Sequence, residues 1–428
     1  MAVRSCNRAP PWADLPVELV NAVIDHLDFF STTRLAGVCT SWARAVATKA
    51  TLPFGTPCLL MTPEEDYLAE AHDDRCDDND GGDKECTFQL LDHSRGKELS
   101  FPAFVAAMRG RWWAGARDDW LATVDKHCNA ELVNPYTGRR ISLPPLATIP
   151  EIQIEEGRTV VFGGVQIEEH FNVVFEGGDY TFCRIIVCET PSAADDAYLV
   201  VAMVNVFLLA IARAGDENWT SLKTPHGRCG VEFRDVVLHK GKVFAVTRSG
   251  DIYTWDMRAG AFPDSEPEPI RPPHINGQDD DLDLVYGCLW NLAESADGRR
   301  LLLVACPHND KFEDAVYLYE RDIDALAGAD GAGWNIVTSL GDHSLFLGAN
   351  FPFLARVVND QDDRELLWPN CVYHTDSYLF EAGLCDPYYF NVYDLGDKTF
   401  KPYREFYANH TGSIQNPIWF RPTLKNFL

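Results

Sequence analysis

Asp342-His343-Ser344, within "GDHSLFLG" (341–348), offers an acid, a base and a nucleophile side by side. Three consecutive residues on a turn cannot line up in those roles, because the base must reach the nucleophile with one nitrogen and the acid with the other. The segment reads instead as a tight turn entering a buried strand. The acidic run "DDRCDDNDGGDKE" (73–85) suggests calcium. With Gly82 as the loop glycine, Asp77 and Asn79 are placed correctly, but Gly81 falls on the third ligand and Phe88 on the closing glutamate. With Gly81 in that role, Cys76 comes first and Thr87 last, so the pattern fails in both registers. The 13 cysteines are odd in number and include no C-x-x-C, so they form neither a disulfide framework nor a zinc site. G-x-S-x-G, G-x-G-x-x-G, P-loop and H-E-x-x-H are absent. Acids are plentiful, but nothing fixes two of them at one sugar-cleaving site. The sequence points to no catalytic residue, metal or cofactor.

A chain without visible chemistry directs attention to its surfaces and scaffold. Its 37 basic and 64 acidic residues give a net charge of −27, a poor footprint for phosphate, so nucleic acid and anionic membranes are disfavoured. An apolar fraction of 46% with 12% aromatics is that of a folded protein. "MAVRSCNRAPPWADLP" has no hydrophobic stretch of the kind that starts secretion. The longest apolar run, "AYLVVAMVNVFLLAIA" (197–212), contains Asn205 and falls short of the roughly 20 residues of a spanning helix. Two buried strands fit it better. A soluble protein of the nucleus or cytoplasm is expected.

Two regions differ in texture. In "DLPVELVNAVIDHLDFFSTTRLAGVCTSWARAV" (14–46), Pro16 suits a helix start, where its missing N–H costs nothing. Leu19, Val23 and Leu27 recur at i, i+4 and i+8, with Ile24 beside them. Leu35, Val38, Cys39, Trp42 and Val46 form a second stripe at helical spacing. So short a unit rarely buries that much apolar surface alone. The cover is either a partner or the rest of the chain, with the helices as a cap.

Beyond residue 52 the texture is short apolar runs broken by Gly, Asp and Pro. "VVLHKGKVFAVTRSGDIYTWDMRAG" (236–260) reads as three strands joined by turns at Lys240-Gly241 and Ser249-Gly250. Its ending, an apolar residue followed by a polar one and a turn, recurs around positions 92, 134, 213, 256, 320 and 394. Such recurrence suggests propeller blades of about 40–50 residues, six most naturally and seven if a long step hides one. An irregular pair of β-sandwiches is the competing architecture.

The helical stretch resembles the F-box pattern: Leu15-Pro16, Glu18-Leu19, the Ile24…Leu27 step and "VCTSWARAV" stand in its order. The body is similar to plant F-box proteins with a KIB-like β-propeller, through "NPYTGRRISLPP", "GKVFAVTRSGDIYTWD", "LAESADGRRLLLVA", "GWNIVTSLGDHSLFLGAN" and "PNCVYHTD". The resemblance implies a tail over 1–13, an F-box over 14–50 and a propeller over 51–428 with an acidic loop near 64–85. It implies a non-catalytic subunit of an SCF ubiquitin ligase that docks a Skp-type adaptor, and through it a cullin, while the propeller holds a target protein. Leu15, Pro16, Leu19, Ile24, Leu27, Leu35, Val38, Cys39 and Trp42 then form the adaptor face. Ala22-Val23 stands where the pattern usually has two large aliphatic residues. The alternative is a propeller enzyme, a glycan hydrolase or oxidase, or a free-standing binder, with the helices as a structural cap.

Overall fold

The computed structural model describes residues 12–24, 27, 32, 34–35, 37–49, 57–61, 89–92, 97–99, 111–125, 129–135, 137–155, 159–162, 183–192, 195–204, 206–225, 231–260, 262–273, 288–307, 315–324, 333–357, 367–376, 389–401 and 418–421. The acidic run at 73–85 and the acidic stretch near 276–284 lie outside them.

The helices come first: α1 (Val17–Ile24) directly after Pro16, and α2 (Thr40–Lys49). Among the described residues, the remaining regular elements are strands, apart from two 3-10 turns. A first sheet contains β1 (Cys58–Met61), β2 (Gln89–Asp92) and β3 (Lys97–Leu99). The next is β4 (Arg111–Arg117), β5 (Trp120–Asp125), β6 (Ala130–Val133) and β7 (Arg140–Ser142). A separate hairpin, β8 (Ile152–Glu155) and β9 (Thr159–Phe162), precedes the sheet of β10 (Cys183–Glu189), β11 (Leu199–Val204), β12 (Leu208–Arg213) and β13 (Thr220–Ser221). Then come β14 (Phe233–His239), β15 (Lys242–Thr247), β16 (Ile252–Asp256) and β17 (Glu268–Ile270). They are followed by β18 (Cys288–Glu294), β19 (Leu301–Pro307), β20 (Tyr317–Arg321) and β21 (Trp334–Ile336). The last sheet has the order β23-β22-β24-β25-β26, from β22 (His343–Leu347), β23 (Phe353–Arg356), β24 (Cys371–Asp376), β25 (Tyr389–Asp394) and β26 (Thr399–Phe400). Finally β27 (Ile418–Phe420) returns to pair with β1, matching Leu59 to Trp419, and completes the first sheet.

This is a β-propeller. Strand β27 packs on β4, β4 on β10, β10 on β14, β14 on β18 and β18 on β23, so these strands line the axis. The apolar cores lie between neighbouring sheets rather than within one. Ile185, Val200 and Ala202 join the β4–β7 sheet to the β10–β13 sheet, and Ile186, Val236, Phe244, Leu292 and Leu303 continue the packing through the next two sheets. Strands covered on both faces have no polar side, which is why β11 is buried along its whole length.

The expected count of six blades, or seven, is corrected: among the described residues five sheets have the regular four-stranded blade form, and the sheet of β22–β26 departs from it. Its β22 runs parallel to β24, with Phe346 opposite Tyr373, because β23 is inserted on the axial side and the chain must cross back before β24. The local expectations fare well. The run at 197–212 is β11 and β12, and the 236–260 unit is three strands. Lys240 and Gly241 both have positive φ (49° and 75°), the geometry that a two-residue turn between twisted strands requires. Pro269 lies in β17, at the edge of its sheet, where its missing donor breaks no ladder.

Candidate docking face

A unit with few residues can make a core from a few large side chains, and that is what the helices do. Val20 and Ile24 of α1 pack on Trp42, Ala45 and Val46 of α2, with Leu15, Leu35 and Cys39 half-buried at the margin. The Trp42 indole Nε1 donates to the Trp12 carbonyl at 2.8 Å, tying the turn before Leu15-Pro16 to α2. Among the described residues, every member of this core comes from residues 15–46.

The same helices leave a second apolar set in water. Trp12, Val17, Leu19, Val23 and Val38 are 58%, 48%, 53%, 41% and 56% exposed. The segment "VELVNAVI" is apolar on more than one face, so Val20 and Ile24 turn inward while Leu19 and Val23 turn outward. Burying one such side chain against a partner is worth about 1.5–3 kcal/mol.

The nine candidate residues therefore divide. Ile24 and Trp42 are core, and Leu15, Leu35 and Cys39 flank it. Leu27 is half-buried just past α1, and Pro16, Leu19 and Val38 are exposed. The second stripe does not lie on one helix. Val38 is in the turn before α2, which begins at Thr40, so Val38 faces out while Trp42 and Val46 face in. Trp12 and Val17 were missed by pattern reading; the signal was their apolar character on either side of Leu15-Pro16. The Cys39 thiol is 3.1 Å from the Ser41 hydroxyl, which, with the Trp42 backbone amide, holds it below the usual thiol range.

In the propeller several buried polar groups bond to one another across sheets. Asp235 of β14 is fully buried, and its carboxylate meets the Arg184 guanidinium of β10 at 2.9 Å and the Leu292 amide of β18 at 2.9 Å. Burial pushes this carboxyl upward against the pull of Arg184. His374 Nε2 lies 3.1 Å from the Asn291 side-chain oxygen. These contacts stitch neighbouring sheets together. At the rejected triad, Ser344 Oγ donates to the Trp368 carbonyl at 2.7 Å, and Asp342 receives Arg356 at 2.6 Å as well as His343. The Ser344 hydroxyl is taken up by backbone, donating to the Trp368 carbonyl and accepting from the Cys371 amide. Among the described residues, no group of three or more His, Cys, Asp or Glu side chains could hold a metal, and no helix is long and apolar enough to cross a membrane.

A small helical unit with an outward apolar face precedes a β-propeller. Comparison gives both parts a family. The F-box domain model matches residues 12–51, and the KIB1-4 beta-propeller model matches 88–398. The chain belongs to the KIB1-4 beta-propeller family, with an F-box ahead of the propeller. F-box protein KIB4 of Arabidopsis thaliana is 24% identical over 437 residues, covering 98% of each chain. F-box protein At1g10110 of the same plant is 26% identical over 280 residues, and the match spans only 61% of either chain. Among solved structures, apo AztD from Citrobacter koseri aligns over 59% of this chain and 55% of its own, at 10% identity and a TM-score of 0.29. The propeller assignment rests on the sheets and the family match.

Proposed function

We propose that this protein is a substrate-recognition subunit of an SCF-type ubiquitin ligase. The helices over 14–50 dock a Skp-type adaptor, and through it a cullin, while the body over 51–428 holds a target protein. One observation carries the reading: the helical unit already has a core, yet Leu19, Val38 and their neighbours remain apolar and exposed. A helical cap would turn that face toward its own propeller. The chain supplies proximity rather than chemistry, raising the effective concentration of target lysines near a charged conjugating enzyme on another subunit. The mutual pairing of Arg184, Asp235, Asn291 and His374 suits a rigid scaffold better than a reaction centre. Its place of action is inside the cell, in nucleus or cytoplasm.

The test is co-purification of the full-length chain with a Skp-type adaptor, beside a Leu15→Ala, Pro16→Ala double variant. Capture by the wild type and loss in a folded variant is the expected outcome. Failure of the folded wild type to capture the adaptor would turn the reading toward a capped, free-standing binder.

A further inference from the structure

Among the described residues, three residue pairs between β27 and β1 close the first sheet. A second closure runs through the middle of the ring. After β22 the chain does not turn back beside its own sheet at once. It crosses the axis as Gly348-Ala349-Asn350-Phe351 before starting β23. The crossing needs Gly348: its φ is +154°, and a Cβ there would run into the Thr375 hydroxyl and lie 2.6 Å from the Thr375 carbonyl.

The segment meets strands from distant sheets. The Phe351 amide donates to the Ala116 carbonyl of β4 at 2.6 Å, and Asn350 makes a parallel bridge to Ala116. From β10, Arg184 Nη2 donates to the carbonyls of Gly348 at 2.6 Å and Asn350 at 3.2 Å. Its Nη1 is held by the buried Asp235 carboxylate of β14. The Arg117 guanidinium lies 3.8 Å over the Phe351 ring, which packs in the core shared by the β10, β14 and β18 sheets. Asn350, 1% exposed, turns its amide nitrogen back to the Phe346 and Phe351 carbonyls. Even Gly115 conforms: a Cβ on it would strike the Ile185 carbonyl and come within 3.5 Å of the Ala349 carbonyl.

We propose that Gly348–Phe351 is an internal strap closing the ring across its axis, and that Arg184 is the positioning residue that pins it. One guanidinium, oriented by a carboxylate on the neighbouring strand, holds two carbonyls of the crossing segment, beside its single bridge to β4. Buried carbonyls need donors, and a fork of N–H groups supplies two at once. The pin joins residues 164 and 166 positions apart in the chain, so its loss frees a long loop rather than a local turn. A consequence for recognition follows. Backbone of the chain itself occupies the axis at this level, so a target meets the ends of the sheets and their loops rather than an open channel.

The experiment is amide hydrogen exchange on the full-length chain, comparing wild type with Arg184→Met, with Arg356→Met as control. Arg356 pairs with Asp342 at the far end of the same hairpin and is exposed. In Arg184→Met the amides over 348–351 should exchange about tenfold faster or more, with α1 and α2 unchanged, while Arg356→Met leaves 348–351 at the wild-type rate. Should Arg184→Met not fold, Arg184→Lys gives the reading: a point charge keeps the Asp235 contact but cannot fork to both carbonyls, so the same amides should again exchange faster. Wild-type protection of 348–351 in whichever Arg184 variant folds would overturn the assignment.

Discussion

The helical unit and the propeller use apolar residues in opposite ways. In the propeller, apolar strands are covered on both faces by neighbouring sheets, and its largest side chains, such as Trp120, Trp219 and Trp255, are fully buried. In the helical unit, among the described residues, five apolar side chains face water while five others make the core. A closed ring of sheets has neighbours on every side and can hide what it has. Short helices share one mutual face, and apolar residues beyond that face stay in water. On the proposed function, the inward residues of both regions carry stability and the outward residues of the helical unit carry docking.

The contrast is broken most severely from the propeller side. Trp255 is buried, packs edge-on against Phe233, and its Nε1 donates to the Lys223 carbonyl at 3.0 Å. Trp255→Ala should cost about 3–5 kcal/mol, read as a lower unfolding midpoint in urea. Adaptor capture by the helices should persist in conditions where the body remains soluble. Within the helical unit, Trp42→Ala removes core packing together with the bond to the Trp12 carbonyl. Circular dichroism and exchange should show α1 and α2 melting, at a loss of about 3 kcal/mol, and adaptor capture should fail with them. Surface changes are smaller in stability and larger in specificity. Leu19→Asp or Val38→Asp should shift stability by no more than about 0.5 kcal/mol, because neither side chain is buried.

The smallest effect concerns the thiols. Burial pushes Cys188, Cys288 and Cys371 up to about 12, whereas the Ser41 hydroxyl holds Cys39 below its usual value. Thiolate is the reactive form and grows as pH rises through the pKa, so Cys39 should react first of these four. Alkylation at pH 8 followed by peptide mass spectrometry measures the order. Adaptor bound beside α2 should slow modification of Cys39 and leave the other three unchanged.

The sequence made the strand repeat legible for a physical reason. Each expected mark falls at or beside the end of the strand next to the outer edge of a sheet: Asp92 ends β2, Asn134 follows β6, Arg213 ends β12, Asp256 ends β16, Glu320 is in β20 and Asp394 ends β25. There the chain leaves the strand to reach the outer one, and such connections select polar residues. The form of the last sheet was not legible, because β22 and β24 carry ordinary strand patterns and only pairing tells parallel from antiparallel. The strap was hidden for a similar reason. Arg184 lies between apolar residues of β10, and its partners are backbone carbonyls far along the chain, which no side-chain pattern records.

On the helices, spacing revealed the apolar residues but not their direction. Leu19 and Val20 are equally apolar, and only the position of Trp42 decides which of them is core. The second stripe failed because Val38 lies in a turn, a boundary that helical spacing cannot show.

The central claim is that outward and inward apolar residues of the helices do different work. It is tested most directly by Skp-type adaptor capture with the full-length Leu19→Asp, Val38→Asp double variant, with its thermal unfolding recorded in parallel. The account predicts an unchanged unfolding midpoint and no capture. A double variant that captures the adaptor as well as wild type would contradict it.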